Sequence, residues 1–229
     1  MTESVDPEEL GEPNQETQRA VNEHMARHGF KATGSVLQPA HEQRFVYTTV
    51  HVCAPTEQRP MVTMYTTGMS DREMVVDAGS DGRRHAELVM FLPPDWPIDG
   101  AGGVSDDARL AWSVQWLEGL TRYPHLAKRG VGPGHLIPTG QDEPLAGTKF
   151  TAFVLLEPTT LPFAIPTQDG REIKLLTLFP IYPEEVTLKR KAGMSALLTR
   201  FREAGIGDLA DPARPNVAAV TGKPFWKFW

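Results

Sequence analysis

Apolar and polar residues alternate along three consecutive stretches of the chain, and this period of two predicts β-strands. The first, "QRFVYTTVHVC", is rich in β-branched and aromatic residues, which suit a pleated surface. The three stretches, residues 43–53, 60–70 and 84–93, follow one another closely and are predicted to pair as a meander. Two later stretches, residues 148–158 and 171–183, are also predicted strands, separated by a turn at Gln168 to Gly170. The last stretch is apolar on both faces, which indicates a central position in the sheet.

A period of 3.6 residues predicts helices in three other stretches. Residues 13–29 place Val21, His24, Met25 and His28 on one face and end at a glycine suited to a C-terminal cap. Residues 105–124 begin with a serine that can cap the N-terminus, and we expect Pro124 to end this helix. Residues 183–205 begin with a proline, and Gly193 is expected to divide them into two helices.

One stretch between the predicted helices and strands has the composition of a site. "RYPHLAKRGVGPGHLIPTG", residues 122–140, holds His125 and His135 together with Lys128 and Arg129, four glycines and three prolines. It opens a predicted loop of about 24 residues, which is longer than most connections in a compact domain. Such loops are usually functional or packed against the body of the protein.

These elements predict the fold class. We expect one α+β domain with a mixed, largely antiparallel β-sheet flanked by helices, since no repeat and no linker divides the chain into two cores. The acidic residues 1–13 are predicted to form a disordered tail. The domain is expected to occupy residues 14–220, and residues 221–229 form a C-terminal tail with four aromatic side chains.

The composition argues against several classes of partner. The formal net charge is −6 and no long Lys/Arg block occurs, which argues against nucleic acid and anionic membranes and favours a basic partner. The first residues lack the features of a signal peptide, and no apolar run reaches the roughly 20 residues of a membrane span. Cys53 is the single cysteine, which is typical of a reducing compartment. We therefore expect a soluble, cytoplasmic protein.

The motifs of phosphate and acyl chemistry are incomplete. "GVGPGH", residues 130–135, lacks the lysine and hydroxyl of a phosphate loop, and "AGSDG", residues 78–82, lacks the first glycine of a nucleophile elbow. Cys53 lies in an apolar strand, where cysteine is usually an inert hydrophobe. Glu184 and Glu185 suit the first turn of a helix through its dipole, and they point about 100° apart. We predict that the chain is not an enzyme and has no catalytic residues.

A metal site would have to use His125 and His135, with His85 or Asp95. Ten residues of loop between the two histidines impose no coordination geometry, so we favour hydrogen bonds to the backbone as their role. No metal and no cofactor are expected.

Several stretches together resemble the suppressor of fused family. They fall in the family's order: "TTGMS" (66–70), "HAELVMFLPPDW" (85–96), "RYPH" (122–125), "GPGHLIPTG" (132–140), "LTLFPIYPEE" (176–185) and "RPNVA" (214–218). The set is far more specific than any one of its motifs.

The resemblance implies an α+β domain that acts by binding protein. Animal members of the family sequester Gli-type transcription factors by gripping a short peptide as an added strand between two domains. Bacterial proteins that resemble this chain are regarded as immunity proteins, which bind and neutralise polymorphic or contact-dependent toxins encoded beside them. We expect no second, C-terminal domain at this length, so the peptide contacts of the animal proteins are not carried over.

We therefore predict a non-enzymatic protein-binding module, of the bacterial immunity type, that neutralises a basic toxin domain. One alternative is an adaptor that captures a linear peptide by β-strand addition. A second alternative is an undetected hydrolase or metal enzyme that uses Asp95 and the two loop histidines. The predicted binding surface consists of Asp95, Trp96, Tyr123, His125 and His135.

Overall fold

A computed structural model describes residues 13–33, 36–37, 46–76, 84–98, 108–140 and 143–219. The predicted aromatic tail and all of the predicted acidic tail except Pro13 lie outside these ranges, as does Ser105, the predicted helix cap. The predicted domain boundaries therefore stay predictions.

Within these ranges, eight strands form one sheet. Seven of them follow the order β1-β2-β3-β4-β8-β6-β5, and β7 also pairs with β8. Among the described strands, only β4 and β8 pair in parallel. The strands are β1 (Val36–Leu37), β2 (Thr49–Cys53), β3 (Val62–Thr67), β4 (His85–Leu92), β5 (Leu136–Pro138), β6 (Ala152–Leu156), β7 (Ala164–Pro166) and β8 (Glu172–Ile181).

The predicted meander is confirmed. β2 pairs antiparallel with β3, and β3 pairs antiparallel with β4. β2 begins at Thr49, later than the alternation predicted, because the preceding residues pack under a helix: the Thr48 hydroxyl lies 2.8 Å from the Thr121 hydroxyl. The turn after β3 requires glycine, since Gly68 has a φ of 106° and a Cβ there would lie 1.9 Å from the Tyr47 carbonyl oxygen.

β8 is central, as its apolar sequence predicted. β4 pairs along one edge of β8. Along the other edge, β7 pairs with the first residues of β8 and β6 pairs with the last ones. Ile173 thus pairs with Ile165 of β7, and Thr177 pairs with Leu156 of β6. Both faces of β8 are buried because both are covered by helices.

The helices form a layer on each face of the sheet. They are α1 (Gln15–Arg27), α2 (Ala108–Leu126), α3 (Pro183–Ala192) and α4 (Met194–Glu203). Successive residues of β8 point to opposite faces. Ile173 and Leu175 pack against α1, and Phe179 and Ile181 pack against α4 on the same face. Leu176 and Leu178 face α2 on the other side. The predicted single α+β domain is confirmed.

The expectation that Pro124 ends the second helix is wrong. α2 continues to Leu126 with Pro124 inside it. A proline within a helix removes one backbone hydrogen bond. The turn nevertheless closes after it, because the Ala127 N–H donates to the Tyr123 carbonyl and the Arg129 N–H donates to the Pro124 carbonyl.

The predicted division of the last helical stretch is confirmed. α3 begins with Pro183, which needs no hydrogen-bond partner for a backbone N–H at this position. Gly193 separates α3 from α4 with a φ of 86°, a left-handed angle that favours glycine.

Candidate functional site

An apolar groove separates α2 from the edge strand β5. Its volume is about 500 Å³. We call it the α2–β5 groove, and it is lined by Gln115, Trp116, Gly119, Leu120, Tyr123, Leu136, Ile137 and Pro138. The helical residues recur one turn apart, so they share one face of α2.

Packing against the sheet holds the floor of this groove in place. The Trp116 ring lies 5.1 Å from the Phe153 ring of β6, centroid to centroid, so this contact fixes the indole where it lines the groove. Leu120 is buried in the core on this side of the sheet. Tyr123 is 39 % exposed and stands at the rim. An aromatic side chain with a polar end is well suited to a surface that meets both partner and water.

The outer edge of β5 offers backbone groups to a further strand. On the inner side, the Thr139 N–H donates to the Thr151 carbonyl at 3.2 Å, and the Leu155 N–H donates to the His135 carbonyl at 3.0 Å. Because antiparallel ladders alternate, the backbone groups of Leu136 and Pro138 point outward. Pro138 has no N–H, so the outward edge presents one donor and two acceptors over this strand.

The five residues of the predicted binding surface lie in different surroundings. Tyr123 lines the groove, and the exposed His135 directly precedes β5. Asp95 is exposed in a turn after β4. Trp96 is buried against Trp112 in an edge-to-face contact of 5.5 Å between ring centroids. The prediction of one shared binding face thus stays a prediction, with Tyr123 as its member in the groove.

His125 is a buried structural residue rather than a surface group. It is 9 % exposed in the last turn of α2 and makes a hydrogen bond to the backbone of Met69. Burial and, to a smaller extent, the nearby charge of Arg72 lower the pKa of His125 to about 4. The neutral imidazole therefore ties the end of α2 to the 3-10 turn Met69–Asp71. This is the backbone role that the sequence favoured for the residue.

The same 3-10 turn is anchored by a buried carboxylate, Glu87 of β4. Glu87 Oε2 accepts from the Thr66 hydroxyl at 2.6 Å, and Oε1 accepts from the Gly68 N–H at 2.9 Å. Oε1 also accepts from both the backbone N–H and the hydroxyl of Ser70, at 2.9 and 2.6 Å. Burial raises the pKa of Glu87 to about 7 against these hydrogen bonds, which lower it.

Three of the quoted motifs thus meet at one place. "TTGMS" supplies the hydroxyls and amides, "HAELV" supplies Glu87, and "RYPH" supplies His125. His85 joins them, because its Nδ1 lies 2.9 Å from the Ser70 carbonyl oxygen. These residues connect β3, β4 and α2, and they position the helix that forms one wall of the groove.

A second buried charge network ties α3 to the C-terminal segment. The Arg214 guanidinium donates to both oxygens of Glu185, at 2.6 and 2.7 Å, in a two-pronged ion pair. The guanidinium also lies about 5 Å from four aromatic rings, those of Phe150, Phe179, Tyr182 and Phe201. The sequence explained Glu185 by the helix dipole alone and missed this pair.

The chemical alternatives gain no support from the described residues. Among them, no three His, Cys, Asp or Glu side chains are grouped so that they could hold a metal ion. Burial raises the pKa of the Cys53 thiol to about 12, so the thiol is protonated at neutral pH. In the described part of the chain, no helix is long and apolar enough to cross a membrane.

The fold is similar to several solved structures. A suppressor of fused homologue from Neisseria gonorrhoeae superposes with a TM-score of 0.61 at 14 % identity, over 89 % of this chain and 98 % of that one. A chain of the Sufu–Fu complex gives a TM-score of 0.59 at 14 % identity, over 90 % and 93 % of the two chains.

Drosophila Suppressor of Fused is also similar, with a TM-score of 0.57 at 14 % identity over 93 % of this chain. The match covers 54 % of the Drosophila chain, so this chain spans about half of that protein. No curated protein matches the chain in sequence. The sequence model of the suppressor of fused protein family matches residues 46–215, which include the Glu87 network, the α2–β5 groove and Arg214. The chain therefore belongs to the suppressor of fused family.

Proposed function

We propose that this chain is a non-enzymatic protein-binding module and that its partner occupies the α2–β5 groove. The observation that carries the proposal is the combination of an outward strand edge on β5 with an apolar groove beside it. A partner segment can pair with the edge through its backbone and place side chains in the groove.

The geometry sets what such a partner must supply. β5 has three residues, and its outward edge presents the N–H of Leu136 and the carbonyl groups of Leu136 and Pro138. A short extended segment satisfies these groups. Backbone pairing over so few residues gives little affinity, so most of it must come from apolar side chains packed between Trp116 and Tyr123.

A relative supports binding of protein as the general activity. The solved Sufu–Fu complex contains a protein of this fold together with Fu. Strand addition at β5 is the adaptor function that the sequence offered as an alternative.

The narrower proposal is that the partner is a toxin, as for immunity proteins. It rests on the resemblance to bacterial proteins and on the net charge of −6. Over the described ranges, however, Lys and Arg slightly outnumber Asp and Glu, so the negative charge resides in the remaining segments. Residues 1–12 alone carry five acidic side chains and no basic one. A basic toxin is therefore attracted mainly by those segments, whereas the groove supplies the specific contact. The proposed place of this binding is the cytoplasm.

Gly119 provides a sharp test of the groove. It lies on the groove face of α2, and a Cβ added there has no neighbouring atom within 4 Å. Gly119→Trp fills the groove without straining the helix, whereas Gly119→Ala leaves it open and serves as the matched control. Both replacements remove a helix-weakening glycine, so we expect both proteins to fold.

The binding partner to be tested is the product of the adjacent gene, co-expressed and purified with this chain. We expect a complex, with Gly119→Trp raising its dissociation constant at least about 30-fold and Gly119→Ala leaving it within about threefold. Equal affinity of the two variants would exclude the groove as the binding site. No complex, with no protection from toxicity, would contradict the toxin proposal, and binding to an array of linear peptides instead would favour the adaptor.

A further inference from the structure

A second apolar groove lies on the opposite layer of the molecule, beside α4. It has a volume of about 540 Å³, and its lining includes Leu156, Met194, Leu198, Phe201 and Ile206. We call it the α4 groove. α4 uses Leu197 and Phe201 to pack on the sheet, and both are buried. Leu198 lies about 100° further round the helix and is 39 % exposed. α4 is therefore apolar over a wider arc than its contact with the sheet requires.

The described chain ends close to this helix. Val217 to Ala219 lie in a cavity that is also lined by Leu188 of α3 and Arg200 of α4. The segment is fixed there, because the Val217 N–H donates to Glu185 Oε1 at 3.1 Å and the Asn216 amide donates to Glu184 at 2.6 Å. The last described residue, Ala219, thus lies beside α3 and α4.

The next residues have the length and the composition to reach the α4 groove. Residues 220–224, "VTGKP", contain no aromatic residue, and extended they span about 16 Å at roughly 3.3 Å per residue. The path over the outside of a helix about 10–12 Å across is half its circumference, roughly 16–19 Å, so these residues must be fully extended to cross α4. Residues 225–229, "FWKFW", carry four aromatic rings.

We propose that the aromatic segment 225–229 docks into the α4 groove of its own chain. Each large aromatic side chain buries about 150–250 Å² when covered, and the groove offers apolar walls to receive two of them. Arg202 also lines the groove, where a guanidinium can lie over an indole face. The proposal is independent of the binding function at the α2–β5 groove.

Docking also braces the loop that leads into β5. Pro133 and Gly134 line the α4 groove from the side opposite α4. The Gly134 N–H donates to the Leu155 carbonyl at 2.7 Å, so this loop is continuous with the β5–β6 pairing. A ring seated in the groove contacts the loop immediately before the strand edge.

Cross-linking within the full chain tests the docking. In Leu198→Cys/Trp226→Cys, we expect a disulfide to form within one chain under mild oxidation, at least about tenfold faster than in the matched Thr199→Cys/Trp226→Cys. Thr199 is the next residue of α4 and is exposed, but it does not line the groove. Cys53 is 2 % exposed and does not compete. Equal rates in the two variants overturn the proposal, and disulfides found only between chains assign the groove to a second copy instead.

A second measurement does not depend on introduced cysteines. Full chains labelled with 5-fluorotryptophan give ¹⁹F signals for Trp226 and Trp229, which are assigned by single Trp→Phe changes. We expect Leu198→Asp to move both signals to the position and solvent isotope shift of a free indole, and Thr199→Asp to leave them in place. Leu198 is at the surface, so the variant should retain the fold. Signals of a free indole already present in the unmodified chain overturn the proposal.

Discussion

Glu87 and Glu185 are both fully buried, yet their surroundings differ in one essential respect. Glu87 is held by hydroxyl and amide donors from Thr66, Gly68 and Ser70. Glu185 is held by the guanidinium of Arg214 and by the N–H groups of Tyr182 and Val217. One carboxylate is surrounded by neutral dipoles, and the other faces an opposite charge.

The difference determines how each region responds to perturbation. Without a cation in its network, Glu87 does not recover the cost of burying its charge, and its pKa rises to about 7. The Glu185–Arg214 pair cancels its charge internally, so losing either partner leaves the other buried and alone. Glu87 is therefore the pH-sensitive support of the 3-10 turn, and Glu185 is the mutation-sensitive support of α3.

The largest effect is expected from Arg214→Ala. The change leaves Glu185 buried without its cation and removes the guanidinium from its four aromatic neighbours, so we expect a loss of about 3–5 kcal/mol in the free energy of unfolding. Urea denaturation monitored by circular dichroism measures this loss.

Arg200→Ala is the matched control, because its ion pair with Glu203 is exposed, and we expect a change within about 0.5 kcal/mol. The double variant Glu185→Leu/Arg214→Met removes both charges and should recover part of the lost stability. A loss below about 1 kcal/mol for Arg214→Ala would show that the pair is not a main support of α3.

The next effect concerns pH and separates the two glutamates. The folded pKa of Glu87 lies above its ordinary value of 4.5, so the carboxyl stabilises the fold at low pH and this contribution is lost as the pH rises to about 7. Over that window the loss is on the order of 3 kcal/mol. Glu87→Gln cannot titrate, so urea denaturation from pH 4.5 to 8 should show the stability of the unmodified chain falling relative to this variant.

Comparing the two chains is necessary because other groups titrate in the same range. Burial lowers the pKa of both His51 and His125 to about 4, and each loses its stabilising contribution as the pH falls from 6.5. In the unmodified chain these histidines change the stability in the direction opposite to Glu87. Their contribution is the same in Glu87→Gln, so it cancels when the two free energies of unfolding are subtracted. If the difference in free energy of unfolding between the two chains does not change with pH, the pKa of Glu87 is not raised.

Regular elements were predictable from the sequence because their residues repeat a pattern locally. The alternation in β2 to β4 and the all-apolar β8 predicted a meander and a central strand, and both are confirmed. The short strands β5 and β7 were not predicted. Each has three residues and includes a proline, so neither carries a period, and their pairing is set by β6 and β8.

Long-range contacts could not be predicted from the sequence, because they too leave no local pattern. Glu185 and Arg214 are 29 positions apart. Nothing in the sequence around Arg214 indicates that its side chain is buried. The α2–β5 groove likewise arises from β5 packing beside α2. Within it, only Tyr123 had been singled out from the sequence. The quoted motifs were informative for the family, because many of their residues build the supports rather than the groove.

The smallest effect distinguishes Glu184 from its buried neighbour Glu185. Glu184 is exposed in the first turn of α3 and accepts a hydrogen bond from the Asn216 amide at 2.6 Å. Glu184→Gln keeps an acceptor for Asn216 but removes the charge, so we expect a loss of about 0.3–1 kcal/mol from the helix dipole at low salt. At 1 M salt the loss should largely vanish, because a surface charge is screened there. Urea denaturation at both salt concentrations measures it, and a loss of several kcal/mol that is independent of salt would mean that Glu184 supports α3 as Glu185 does.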